Sequence, residues 1–112
     1  MVSLLLAAAL SQPLWFDVQH YGDIYAITPM AHLSVTCECQ VQITFQKIGQ
    51  AGTSTSQQQG RLTISGDENI ALSRMKFTLD SHEKALITLT LTETLTDGKQ
   101  LAFEKRLVLP PQ

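Results

Sequence analysis

The sequence predicts an all-β domain, an antiparallel sandwich of about seven strands, on three observations. From Ala31 to Phe45 the odd positions read Ala, Leu, Val, Cys, Cys, Val, Ile, Phe, and the even ones His, Ser, Thr, Glu, Gln, Gln, Thr. That period of two puts one face of an extended strand in a core and the other in water. Similar β-rich runs recur along the chain, and no segment carries a helical period. The 112 residues suffice for one domain, which at this size buries roughly two-thirds of its unfolded surface. A metal or disulfide is therefore not required for stability.

The start, "MVSLLLAAALSQ", holds an apolar core from Leu4 to Leu10. It reads as a short signal-like segment over residues 1–8, with cleavage between Ala8 and Gln12, although no Lys or Arg precedes it. Residues 9–112 then form a single domain. A transmembrane helix needs about 20 apolar residues, so no stable membrane insertion is expected.

"LWFDVQH" and "DIYAITPM" are two strands split by the turn Tyr21-Gly22-Asp23. Either Trp15 or Phe16 should pack inward. Pro29 has no N–H and belongs at a strand end or on an unpaired edge. The alternating run from Ala31 to Gln46 is one long strand. "GQAGTSTSQQQG", residues 49–60, lacks an apolar period and reads as a flexible loop. Leu62 and Ile64 of "RLTIS" should point inward. In "LSRMKFTLD", Met75, Phe77 and Leu79 share one face and Arg74 and Lys76 the other.

The last third, "ALITLTLTETLTDGKQLAFEKRLVL", reads as a hairpin. Asp97-Gly98 can supply the positive φ angles of a type I′ turn, and Pro110-Pro111 ends the second strand. Ile87, Leu89, Leu91, Leu101, Phe103, Leu107 and Leu109 fall on the inward parity, and so do Glu93 and Lys105. Inward charges discourage edge-to-edge pairing, unless a bulge shifts the register. Seven short antiparallel strands in this length fit an immunoglobulin-like sandwich, with a small barrel as the runner-up. The expected core is Leu33, Val35, Val41, Ile43, Phe45, Phe77, Leu89 and Leu91.

Charged residues are 16% and the net charge is −2, against the basic excess that nucleic-acid binding needs. No phosphate-binding glycine loop, Cys-X-X-Cys, zinc-protease helix or nucleophile elbow occurs. The carboxylates are scattered without an acid–base pair, and nothing in the residues indicates a cofactor. An enzyme is not indicated.

Cys37-Glu38-Cys39 is the one unusual motif, and it holds both cysteines of the chain. The two side chains share a face, with Cα atoms roughly 6.6 Å apart in an extended strand. A disulfide prefers about 5.5–6 Å, so a bridge here would need a local twist and would be easily reduced. No helix N-terminus is present to lower the thiol pKa, and the adjacent Glu38 would raise it. Two thiolates are half a tetrahedral metal site, but His20, His32 and His82 lack ligand spacing to them. Two small core hydrophobes, a redox or disulfide pair, and half a metal site all remain open readings.

Parity also groups Arg61, Arg74 and Lys76 on the exposed side of two neighbouring segments. That patch would attract an acidic partner, or it simply solubilises the domain. The Thr row Thr88, Thr90, Thr92, Thr94, Thr96 would suit a fibre subunit, but good strand propensity on a solvated face is the simpler reading and the one favoured here.

"LLLAAALSQ", "YGDIYAITP", "TCECQVQI", the Gln/Ser-rich stretch and "IALSRMKFTL" together resemble the curli assembly protein CsgC family of enteric bacteria, almost end to end. The C-terminal stretch is more charged than in that family. The resemblance implies a periplasmic, monomeric, immunoglobulin-like protein, similar in fold to the N-terminal domain of the thiol-disulfide transporter DsbD. It further implies a chaperone that keeps the curli subunit CsgA from premature amyloid formation. The alternative it implies is a redox protein acting on the curli secretion channel CsgG. Cys37 and Cys39 map onto that family's Cys-X-Cys.

Overall fold

A computed structural model describes residues 13–94, 98 and 100–111. The signal-like segment and its cleavage range lie outside the described residues, as do Thr96 and Asp97. Eight strands follow in order: β1 (Leu14–Tyr21), β2 (Ile24–Ala31), β3 (Cys37–Gly49), β4 (Gly52–Ile64), β5 (Ile70–Ala71), β6 (Met75–Thr78), β7 (Lys84–Thr94) and β8 (Gln100–Leu109). No helix occurs among the described residues. One sheet runs β4-β3-β7-β8; in the other, β2 pairs with β1 on one side and with β5 and β6 on the other. Every pairing is antiparallel. The two sheets pack as a sandwich around one apolar cluster.

Alternation builds that cluster. On β3, Cys37, Cys39, Val41 and Ile43 are buried while Glu38 and Gln40 are exposed. On β7, Ala85, Ile87, Leu89 and Leu91 are at most 1% exposed. Leu33 is also buried; Phe45 and Phe77 lie half-buried against the core, their ring centroids 4.7 Å apart. Phe16 is the inward member of its pair: it packs on the core, and neighbouring Trp15 projects from the other face of β1.

Val35 departs from the expected core, being 67% exposed. The run from Ala31 to Gln46 is not one strand but two, because β2 ends at Ala31 and β3 begins at Cys37 in the opposite sheet. Residues 32–36 carry the chain across, so their parity is lost. The Asp67 N–H donates to the Leu33 carbonyl at 2.7 Å, and the Gly66 N–H to Thr36 Oγ1 at 3.1 Å. A Cβ on Gly66 would sit 2.8 Å from the Val35 carbonyl carbon, so only glycine permits this approach.

The stretch expected to be a loop is β4. A two-residue turn at Gln50-Ala51 folds it back, with Gly52 at a φ of 130°, and thirteen consecutive residues pair with β3. Sequence periodicity missed it for a physical reason: a period of two needs one buried face. All of β4 except Ile64 is exposed, because it lies at the sheet edge, beyond the short strands opposite. Leu62 keeps the inward parity, opposite Cys39, but is 39% exposed at the rim.

Pro29 is inside β2, buried, rather than at a strand end or edge. β6 pairs with Ile24–Ile27 and β5 with Met30–Ala31, so Thr28 and Pro29 face the interruption between them. The Leu72 N–H still donates to the Pro29 carbonyl at 2.8 Å. Proline cannot return that bond, and the neighbouring chain breaks its pairing there.

The β7–β8 hairpin forms as expected, with Ile87, Leu89, Leu91 and Leu109 buried, Phe103 and Leu107 half-buried, and Leu101 42% exposed near the strand end. Thr94 stands opposite Gln100, leaving five residues between them. The Asp97 half of the expected turn lies outside the described residues; Gly98 carries a positive φ of 86°. The register is unbroken from Ala85↔Leu109 to Thr94↔Gln100. Glu93 and Lys105 thus keep the inward parity, both half-buried.

Two outcomes test this core. Leu89→Ala should lower unfolding stability by about 2–5 kcal/mol, whereas Val35→Ala should change it by no more than about 0.5 kcal/mol, measured by urea denaturation. Gly66→Ala should lower Tm despite removing no contact, because the added methyl has no room beside the Val35 backbone.

Candidate functional site

The cysteines open β3. Cys37 stands opposite Ile64 and Cys39 opposite Leu62, with Glu38 turned outward. Both are core residues, 2% and 0% exposed. Their Cα atoms are 5.5 Å apart and their Sγ atoms are in direct contact. The extended-chain spacing of roughly 6.6 Å is thus shortened into the range a bridge prefers, with the pairing to β4 uninterrupted. Two of the open readings coincide: the pair fills the core and is placed to bridge.

The histidines are elsewhere. His20 stacks on Tyr25 with centroids 4.2 Å apart and bonds the Gly22 carbonyl; His32 Nδ1 bonds Asn69 Oδ1 at 2.8 Å. The backbone N–H of His82 donates to Asp80 Oδ1 at 2.8 Å. Among the described residues, no three His, Cys, Asp or Glu side chains gather where a metal could be held.

The basic residues divide between two places. Arg74 immediately precedes β6 and Lys76 lies within it; both are exposed, while Met75 and Phe77 turn toward the core. The pair lies beside an open seam between the sheets, a depression of about 290 Å³ lined with Ile43, Phe45, Ser56 and Gln58. Across this seam Ser73 Oγ donates to Gln58 Oε1 at 3.3 Å. The same two cations border a second, larger depression on the outer face of β1 and β2, which Asp17 also lines. Arg61 stands opposite Gln40 on the outer parity of β4 and lines neither depression. Parity alone had grouped all three, but Arg61 belongs to the other sheet. Among the described residues, none of the three makes an ion pair.

Periodicity does not reveal the seam, because β4 is exposed along almost its whole length and has the composition of a loop. The available signal was the Thr-Ser-Thr-Ser run directly after Gly49-Gln50-Ala51-Gly52, a spacing suited to a two-residue hairpin turn.

The model of the thin aggregative fimbriae synthesis protein family, Tafi-CsgC, matches residues 5–107. The chain belongs to this family. It is 37% identical over 106 residues to the curli assembly protein CsgC of Salmonella typhimurium (strain LT2), covering 95% of this chain and 94% of that relative. The Escherichia coli (strain K12) curli assembly protein CsgC is 32% identical over 106 residues, with 95% and 93% covered. Among solved structures, the E. coli curli protein CsgC in its SeCys form superposes with a TM-score of 0.77 at 26% identity, over 90% of this chain and all of that one.

Burial of both sulfurs has a measurable consequence. A bulky thiol reagent should label the reduced native protein at least tenfold more slowly than the urea-unfolded chain. Equal rates would place the cysteines at the surface. Replacing both by Ala should cost a few kcal/mol at most, the range for small core truncations.

Proposed function

We propose that this protein is a periplasmic, monomeric chaperone of curli assembly that keeps the curli subunit CsgA from nucleating amyloid. Family membership supports the pathway, and the observation that carries the mode of action is the Arg74–Lys76 pair. Among the described residues these two exposed cations have no ion-pair partner, and they stand beside an open seam rather than around a closed pocket. Exposed charges in high dielectric steer encounter more than they tighten a complex. A client with carboxylates would therefore be met often and held briefly, which suits suppression of nucleation well below equimolar chaperone. Arg61 extends the positive field onto the neighbouring sheet and serves as an auxiliary site.

A redox role on the secretion channel CsgG is the second reading, favoured by the contact between Cys37 and Cys39 Sγ atoms. Their burial weighs against it, because thiol exchange needs an attacking thiolate to reach a sulfur. A thiol-exchange assay separates the two: turnover lost in Cys37→Ser supports the enzyme, and no turnover by the intact protein rules it out.

The chaperone reading is tested by subunit aggregation followed by amyloid-dye fluorescence at low salt. Substoichiometric protein should lengthen the lag severalfold, and an unchanged lag would end the proposal. Arg74→Glu with Lys76→Glu should shorten that extended lag toward the uninhibited value. Added salt should do the same to the parent protein, as screening shortens the reach of exposed charge.

A further inference from the structure

The two edges of the β4-β3-β7-β8 sheet are unlike. β8 carries Glu104, Lys105 and Arg106 in succession and meets Pro110-Pro111 at its end, devices that keep an edge from pairing with other chains. β4 has only Arg61, near its far end. From Gly52 to Gly60 it holds no charge and no proline, and its register is free of bulges over thirteen residues. Among the described residues, no backbone hydrogen bond outside the strand ladders reaches it. Among the described residues it is a long, unbulged, polar edge left open.

The ladder fixes which backbone groups face outward. The two-residue turn makes Gly49↔Gly52 the closing hydrogen-bonded pair, and antiparallel pairing alternates from there. Even-numbered residues of β4 thus bond to β3. Thr53, Thr55, Gln57, Gln59, Arg61 and Thr63 point their N–H and C=O groups to the free side.

We propose that this free edge of β4 adds an extended, acidic and polar segment of another polypeptide as a further antiparallel strand, held by main-chain hydrogen bonds. The proposal rests on the client-binding reading above and supplies the contact that follows electrostatic encounter. Charge selects the occupant. Residues 52–66 and 70–79 together contain Arg61, Arg74 and Lys76 and no Asp or Glu. A second copy of this chain would bring like charges together at the edge, whereas a strand with carboxylates would neutralise them. Main-chain bonds provide the affinity in such strand addition and side chains the selectivity.

The test uses the whole protein and a synthetic 12-residue peptide alternating Thr and Gln with two Glu, followed by amide hydrogen exchange. Saturating peptide should slow exchange at Thr53, Thr55, Gln57, Gln59 and Thr63 at least tenfold and leave Ser54, Ser56 and Gln58 unchanged. Unchanged exchange at the first group, or protection confined to β1 or β8, overturns the proposal. Protection that grows with protein concentration in the absence of peptide overturns it too, by giving the edge to a second copy. Gln57→Pro with Gln59→Pro removes two outward N–H groups and no bond to β3, so it should abolish peptide protection, while Gln57→Ser with Gln59→Ser should retain it. A thermal melt confirms that each variant is folded, and the exchange pattern of the unaltered protein decides the matter if the proline variant is not. Failure of the chaperone reading is a separate result: an unchanged aggregation lag with the parent protein, whatever the peptide does.

Discussion

The buried face of β3 is the constraint on which the sandwich depends. Cys37, Cys39, Val41 and Ile43 turn inward along one strand whose two edges hold β4 and β7. Shifting that strand by one residue would send Glu38, Gln40 and Gln42 into the core and cost several unsatisfied polar groups. Burial on one face therefore locks both ladders at once. The inward residues of β7 face the same interior, so four-stranded pairing and core formation are a single event. No buried polar or charged side chain occurs among the described residues, in keeping with a core that relies on apolar contact alone.

The opposite sheet is shorter on one side because of Pro29. Its missing N–H lies where the chain opposite β2 breaks into β5 and β6, with Leu72, Ser73 and Arg74 between them. Two short strands cannot cover the reach of β4. The outcome is an open seam, with cations on one lip and amides and hydroxyls on the other. A backbone property of one buried residue thereby shapes the surface where a client is proposed to bind.

The cysteine pair shows how position can override the reactivity suggested by a motif. Two thiols one residue apart suggest exchange chemistry, yet reactivity needs access and a stabilised thiolate. Here the pair occupies the start of the central strand, faces Ile64 and Leu62, and is covered by the other sheet. Its first effect is on packing, whether or not the sulfurs are bonded.

The all-β class, the sandwich, the inward parity of β3, β7 and β8, and the family were all legible in the residues. Alternation records burial, and burial is what these strands share. Hidden from the sequence were the features that burial does not mark. β4 has both faces in water and so carries no period. Val35 keeps its apolar identity but lies on a crossing between sheets, where parity is reset. Arg61 shares the outward parity of Arg74 and Lys76, but parity is defined only within a sheet, and the topology assigns them to different ones. Local chemistry decides which residues seek the interior; only the tertiary pairing decides which edges are left uncovered and which charges become neighbours.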